Sequence, residues 1–427
     1  MPNFVSRVSS ISTLTALTFL LLIGPLHAFA VKGFAPILAL AGLFSLMALI
    51  SNRQAFVSSQ IVQQVKRYGY ALAFMAYAFL AVFWSSYEAA LGSFLTATGI
   101  IVFTIAAIKT INQSDSHKRR IWERLLIASM IAGCVLVMII GPYNVYWPNI
   151  AADLNYPFEL LRQVNRSLII LPIILMLLGA VLPRNYRWLV VFGLACGFVV
   201  TYFSNSQSAL LALCIGSAGL FLGYAAARFT RFIIWICLAV ALLSAPLIHI
   251  ASYENKWVKN YAPKVFIQKG AAEAREWLFY VYAKESLKEP IIGHGLRSGR
   301  SFEPADMRNY IAEGEARGGR VGKFVSVYKD RRNINLHPHN IFLQIIFEFG
   351  FLGAILWLLA MWQMLKRLDE GFNPQSKPWM WGAFGAGLGG IMFSHSIWQS
   401  WSLSIWATCI IVACTLCKGD RIENFVR

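Results

Sequence analysis

The chain has 427 residues, 57% of them hydrophobic and 14% charged, with a mean hydropathy of +0.57. Soluble domains carry about 25% charged residues, so this composition excludes an ordinary soluble domain and points to a polytopic membrane protein. The net charge of +18 would suit a nucleic-acid partner, but the placement of the charges argues for membrane topology instead, with no nucleic acid.

Apolar stretches long enough to cross a bilayer, about 17 to 25 residues each, lie near 11–31, 33–50, 69–86, 89–108, 124–142, 167–183, 188–204, 208–226, 232–250, 341–365, 379–396 and 400–417. The expectation is an all-α polytopic membrane protein of about twelve transmembrane helices. Leu14 to Ala30 follows Arg7 and ends in Ala28-Phe29-Ala30, which imitates a signal-peptidase site. Another apolar segment starts at Gly33, so the first is read as a retained span. With the N-terminus placed in the cytoplasm, the cytoplasmic side collects Arg53, Lys66 and Arg67, the run Lys118-Arg119-Arg120, Arg228, Arg231, Lys366 and Arg367. The short external loops hold only Lys32, Arg162 and Arg166. The positive-inside rule then puts both termini in the cytoplasm. All seven cysteines lie in or at the edge of apolar segments, and the lone Cys414-x-x-Cys417 reads as packed thiols rather than a zinc site.

The chain divides into helices one to nine (1–250), a long polar external loop (251–340) and helices ten to twelve (341–427). The loop carries 16 Lys/Arg against 10 Asp/Glu. A connection of this length is usually functional or independently folded. Within it, AAEAREWLFYVYAKESLK (271–288) has apolar residues at helical spacing and is predicted to be an amphipathic helix on the membrane surface. Arg297 to Arg332 is rich in glycine and arginine and is expected to be irregular.

The loop ends in NLHPHNIFLQIIFEFGFLG (335–353). Pro338 suits a first helical position, which would put His339 in the first turn. Asn340, Gln344 and Glu348 follow at i, i+4 and i+8, a polar stripe that must face the bundle interior or a watery cavity. The helix dipole disfavours imidazolium there and attracts anions, which suits a neutral histidine acting as a base beside an anionic substrate. An interfacial histidine with a buried, hydrogen-bonded glutamate accounts for the same residues. Arginines on the external side, Arg166 in VNRSLIIL and Arg275 in the loop helix, with Arg162, Arg297 and Arg300, match phosphate oxygens in their geometry. Headgroup anchoring accounts equally for each arginine taken singly. Among other polar groups, His395 reads as packing or cavity lining, His27 and His249 as interfacial or packed, and His294 as part of a turn. The tryptophans at 379, 381, 398, 401 and 406 read as belt and packing.

His339-Asn340, nine residues, then Gly350-x-x-Gly353 resembles the signature of bacterial O-antigen ligases and the related O-antigen polymerases. REWLFYVYAKESLKEPIIGHGL, with Pro290, Gly293 and Gly295, is similar to the loop pattern of the same family. The resemblance implies a GT-C-like fold and a metal-independent, cofactor-free, inverting glycosyl transfer at the periplasmic face of the bacterial inner membrane. A polysaccharide would move from undecaprenyl diphosphate to a sugar hydroxyl of lipid A-core. It implies that His339 is the base and that Arg275 holds the diphosphate. Members often carry an arginine where this chain has Gln207 in YFSNSQSA, so either Arg166 supplies the missing charge as a second phosphate ligand or substrate handling differs. His337, Asn340 and Gln207 are further substrate-binding candidates, with Glu276, Gln344, Glu348, Gly350 and Gly353 in support. A polymerase of O-antigen, capsule or exopolysaccharide, with donor and glycan acceptor both lipid-linked, is the nearest alternative. A lipid-linked glycan flippase is the alternative from another class.

Overall fold

The computed structural model describes residues 2–51, 58–114, 116–141, 158–204, 206–262, 272–302, 304–318, 321–322, 324–326, 337–392 and 396–416. Among these residues the regular structure is helical and there is no extended strand. The chain is an all-α polytopic membrane protein, as its composition predicts. Nine helices among the described residues are long and apolar enough to cross a membrane. The expected spans near 69–86, 379–396 and 400–417 fall on shorter helices, so length and composition alone reach nine of the expected twelve.

In chain order, α1 (Pro2–Leu21) and α2 (Ile23–Phe29) lead to α3 (Phe34–Ser51) and α4 (Ser58–Leu80), then α5 (Ala90–Gln113) and α6 (Ser116–Ile140). The bundle continues with α7 (Phe158–Val181), α8 (Arg187–Phe203), α9 (Gln207–Ala225) and α10 (Thr230–Glu254). The region after α10 supplies α11 (Trp257–Tyr261), α12 (Ala272–Ser286) and α13 (Pro304–Arg317). Three helices close the fold: α14 (Ile341–Gly371), α15 (Lys377–Met392) and α16 (Ser400–Leu416).

Two apolar clusters organise these helices. One surrounds α7, where Leu168, Leu171, Met176 and Ala180 are fully buried. The other surrounds α14, where Leu343, Ile345, Ile346 and Phe349 are fully buried against α4, α10 and α12. Helices on the periphery instead expose Phe192, Phe221, Ile236 and Leu247, the aspect expected where the neighbour is lipid.

Helix association in lipid relies on close packing rather than on expulsion of water. The pair α9–α15 follows this rule through small residues on both sides. A Cβ added at Gly216 would sit 2.8 Å from Ala386 Cβ, and one at Gly219 would sit 2.6 Å from the Trp381 carbonyl oxygen. Gly385 and Gly389 meet the Ile215 and Ala212 backbone from the other direction.

The predicted amphipathic helix at 271–288 is present as α12, but it is not a surface helix. Residues 276–283 are all buried, as are Ala274, Glu285 and Ser286. Its polar residues are paired inward: Ser252 Oγ and the Val258 N–H donate to Glu276 Oε1 at 2.8 and 3.2 Å, and Tyr310 O–H donates to Glu285 Oε1 at 2.7 Å. Where irregular chain is expected after Arg297, α13 forms and packs on α12, with Trp277 Nε1–H donating to the Tyr310 carbonyl at 3.1 Å. Alanine, glutamate and arginine in PADMRNYIAEGEAR favour the helix.

Candidate functional site

Helix α14 begins one turn later than Pro338 suggests. Asn340 is the N-cap: its Oδ1 accepts from the Phe342 and Leu343 N–H groups at 2.9 and 3.3 Å. Asparagine is among the strongest caps and fixes the helix start past the proline. His339 therefore lies outside the first turn, with φ at +47°, a conformation that helix geometry excludes. Its ring stacks on that of His337, centroids 4.4 Å apart, and its N–H lies 3.4 Å from His337 Nδ1.

The polar stripe does run inward. Gln344 Nε2 donates to Glu348 Oε1 at 2.8 Å and to Ser396 Oγ at 3.0 Å. The Gln344 Oε1 accepts from the Ile397 N–H at 3.3 Å. Trp398 Nε1–H donates to the other Glu348 oxygen at 2.6 Å. Both carboxylate oxygens are thus engaged in the interior, as a charged group in a span requires. Glu348 is a cavity-wall residue, not a base held free for chemistry.

Asn340 reaches further. With Oδ1 committed to the cap, its amide Nδ2 faces His249 Nε2 at 2.9 Å, so His249 accepts there as a neutral imidazole. The His249 ring lies 4.8 Å from that of Phe279 on α12. Arg275 and Phe279 are four residues apart and share one helix face. Arg275 therefore sits on the side of α12 that adjoins the Asn340 cap. It is half-buried, burial holds its guanidinium below the usual arginine range, and it makes no ion pair among the described residues. Its neighbour Glu276 is engaged elsewhere, 3.8 Å from Arg317, whose guanidinium lies 3.8 Å from the Tyr253 ring centroid.

The two glycine motifs meet. Gly350 interrupts α14 with φ +62° and ψ −168°, and the groups around the break pair with the PIIGHGL turn. The N–H groups of His294 and Gly295 donate to the Phe347 and Glu348 carbonyls at 2.8 and 2.9 Å. Phe351 and Leu352 N–H donate to the Pro290 and Ile291 carbonyls at 2.7 and 3.1 Å. Tyr77 O–H contacts the Phe349 and Ile292 carbonyls, both at 3.2 Å. Irregular backbone at membrane depth is tolerated only where protein covers it, and here one motif covers the other. The approach is too close for any side chain: a Cβ on Gly293 would lie 2.5 Å from the Gly350 nitrogen. His294 is a packing residue, stacked on Phe347 at 4.6 Å with Nε2 2.9 Å from the Glu285 carbonyl. Gly353 lets Phe349 and Tyr77 pack on the helix just beyond the break.

Past this turn lies a polar cavity lined by Tyr282, Arg297, Gly299, Arg300, His337, Pro338, Gln344, Glu348 and Ser396. It gathers His337, Gln344 and Glu348, while Arg275 and Arg166 are not among its lining residues. Arg166 lies on α7 with its guanidinium 5.4 Å from the Trp401 ring centroid. Its neighbour Asn165 accepts through its carbonyl from Ser206 Oγ at 3.4 Å. Since Ser206 precedes Gln207 at the start of α9, Arg166 stands close in the fold to Gln207. His27 Nε2–H donates to the nearby Ser167 carbonyl at 2.9 Å, and His27 is a packed histidine. Arg162 and His395 lie outside the residues whose side chains are described.

Sequence reading assigns His249 and Trp398 to packing and does not single out Tyr282 or Ser396. Only the polar run Ser394-His395-Ser396 beside Trp398 offered a local signal, and it did not name Glu348 as the partner.

Comparison with known proteins follows this geometry. Residues 192–358 match a family profile described as O-antigen ligase. A curated protein of Rickettsia conorii named "Putative polysaccharide ligase" is 25% identical over 195 residues, covering 46% of this chain and 44% of its own. Proteins of the same name from Rickettsia prowazekii (25% over 223 residues; 51% and 50%) and Rickettsia typhi (24% over 229 residues; 53% and 52%) are also similar. The chain spans about half the length of these curated relatives. No solved structure matches. The matched segment contains Gln207, Arg275, the PIIGHGL turn, His339 and the Gly350 break, while Tyr77, Arg166, Ser396 and Trp398 lie outside it.

Proposed function

We propose that this protein is an O-antigen ligase-type glycosyltransferase of the bacterial inner membrane, working at the periplasmic face. The observation that carries the reading is the junction of the two matched motifs. They are hydrogen-bonded to each other across the Gly350 break, and His337 and Pro338, which precede His339 in the chain, line a polar, arginine-bearing cavity.

In this reading a sugar hydroxyl of lipid A-core attacks the anomeric carbon of a glycan carried on undecaprenyl diphosphate. The bond from that carbon to the diphosphate oxygen breaks as the new glycosidic bond forms, with inversion. His339 takes the hydroxyl proton. Arg275, half-buried and without an ion pair among the described residues, receives the departing diphosphate, with Arg166 as a second ligand. Guanidinium groups held in a partly desolvated site stabilise leaving-group charge, the role a metal fills in other transferases.

A polymerase uses the same groups and differs in the acceptor. A flippase requires a broken helix that offers its freed backbone to cargo. In α14 the Phe347, Glu348 and Phe349 carbonyls and the N–H groups of Phe351 and Leu352 are already bonded within the protein.

Purified protein given lipid-diphosphate glycan and lipid A-core decides among the three. Attachment to lipid A-core is the expected product. Extension of glycan on the carrier would make it a polymerase, and neither product would revive the flippase. His339→Ala and Arg275→Ala are expected to insert and fold normally and to lose transfer. Full transfer by His339→Ala would overturn the mechanism.

A further inference from the structure

We infer that Arg297 and Arg300, on the cavity wall beside His337, form a second anion subsite that binds an acidic group, phosphate or carboxylate, of the acceptor glycan. The inference rests on the transferase reading above.

The geometry starts with a turn. Arg297 has φ +60° and opens the 3-10 turn Ser298–Arg300. Three residues per turn bring positions i and i+3 to one side, so Arg297 and Arg300 both reach the same cavity. Gly299 between them has no side chain, and Tyr282 O–H fills that place against its carbonyl. Arg297 is held from behind: Nη1–H donates to Ser93 Oγ, and its guanidinium lies 5.2 Å from the Tyr87 ring centroid. Its Nε–H is buried and has no acceptor among the described residues. Arg300 makes no side-chain hydrogen bond or ion pair among the described residues. Burial, and then the like charge of Arg300, hold the Arg297 guanidinium below the usual arginine range.

The charge balance of the cavity then points to a ligand. Two arginines and one carboxylate, Glu348, line it; Glu348 interacts with Arg297 and both its oxygens accept from Gln344 and Trp398, which leaves one positive charge in excess. Two neighbouring cations with spare donors are matched by one oxyanion able to take several N–H groups. The donor's diphosphate is assigned to Arg275 and Arg166, which do not line this cavity. His337 and Pro338 do line it and lead directly into His339. An acidic group seated here would hold the acceptor sugar within reach of the base, which is where an acceptor must sit.

The test uses the full chain in nanodiscs and acceptor glycans prepared with and without an acidic substituent. Arg300→Gln, which removes no contact within the fold, is expected to raise KM for the acidic acceptor about tenfold or more, the scale of one lost charge-assisted hydrogen bond. KM for the lipid-linked donor, and KM for the neutral acceptor, should be unchanged. Arg297→Gln should act in the same direction. A rise in donor KM instead would put the diphosphate in this cavity and overturn the assignment. An equal effect on both acceptors would overturn it as well.

A second readout needs no turnover. Inorganic phosphate should raise the thermal midpoint of Arg166→Ala/Arg275→Ala, in which the diphosphate ligands are gone, but not that of the same variant carrying Arg297→Gln and Arg300→Gln as well. Equal protection of the two would overturn the subsite. If wild type transfers no glycan, the transferase reading fails by itself, and phosphate protection still reports on the anion site.

Discussion

Asn340 serves two contacts with one side chain, and its substitutions separate them. Alanine removes the cap, worth about 1 kcal/mol, and strands His249 Nε2 without its donor. Asn340→Asp keeps the capping oxygen, and His249 can answer by moving its proton to Nε2. Thermal scans in detergent should therefore rank wild type, then Asp, then Ala, and an Ala variant as stable as wild type would contradict the assignment. Glu348→Gln is the companion case. One carboxylate oxygen becomes an NH2 facing either Trp398 Nε1–H or Gln344 Nε2–H, at a cost of about 1–3 kcal/mol for the unmatched donor. A lowered midpoint with intact insertion is the expected result. The Gln344–Glu348 pairing was legible beforehand because four-residue spacing places both on one helix face. Trp398 and Ser396 were not, since nothing local ties a residue to a partner some fifty positions away. The cap was legible in kind but misplaced: Pro338 competed with Asn340, and the bidentate side-chain cap won.

At the scale of elements, α12 and α14 show where pattern reading works and where it stops. Helical spacing located α12 to within a residue or two at each end. It could not show that the apparently polar side is also covered, because Glu276 and Glu285 accept hydrogen bonds from groups on α10, α11 and α13. The turn at Pro290–Gly295 and the break at Gly350 were each visible as motifs, but their mutual pairing became visible only in three dimensions. Gly350→Ala and Gly293→Ala should both sharply reduce the yield of monodisperse protein. Each added Cβ meets backbone atoms, at 2.3 Å for Gly350 with the Ile291 carbonyl oxygen and 2.5 Å for Gly293 with the Phe349 nitrogen, and each residue has positive φ. Gly371→Ala, with nothing within 4 Å of its added Cβ, is the matched control and should behave as wild type in size-exclusion chromatography.

For the whole molecule, membrane character was legible from composition alone, whereas the number of crossings was not. Short helices such as Ser400–Leu416 fall below what length and hydropathy can assign, because their burial by neighbours replaces part of the apolar length. Sidedness is open to direct measurement. With the exposed Cys214 and Cys237 replaced by serine, a cysteine at exposed Lys118 should react with a membrane-impermeant thiol reagent only after the membrane is opened. One at exposed Arg308 should react in intact spheroplasts. The reverse pattern would invert the topology and move the site to the cytoplasmic face.

The reciprocal closure of the Gly350 break also imposes an order of assembly. The turn at 290–295 leaves the ribosome some fifty residues before the carbonyls it must bond. Until α14 is inserted, its N–H groups have no protein acceptors and can be served only by water. The segment that carries this turn therefore has to wait, unfinished, for a later membrane insertion to complete it. A chain stopped before residue 347 would carry both histidines and every cavity arginine and still lack the scaffold that aligns them.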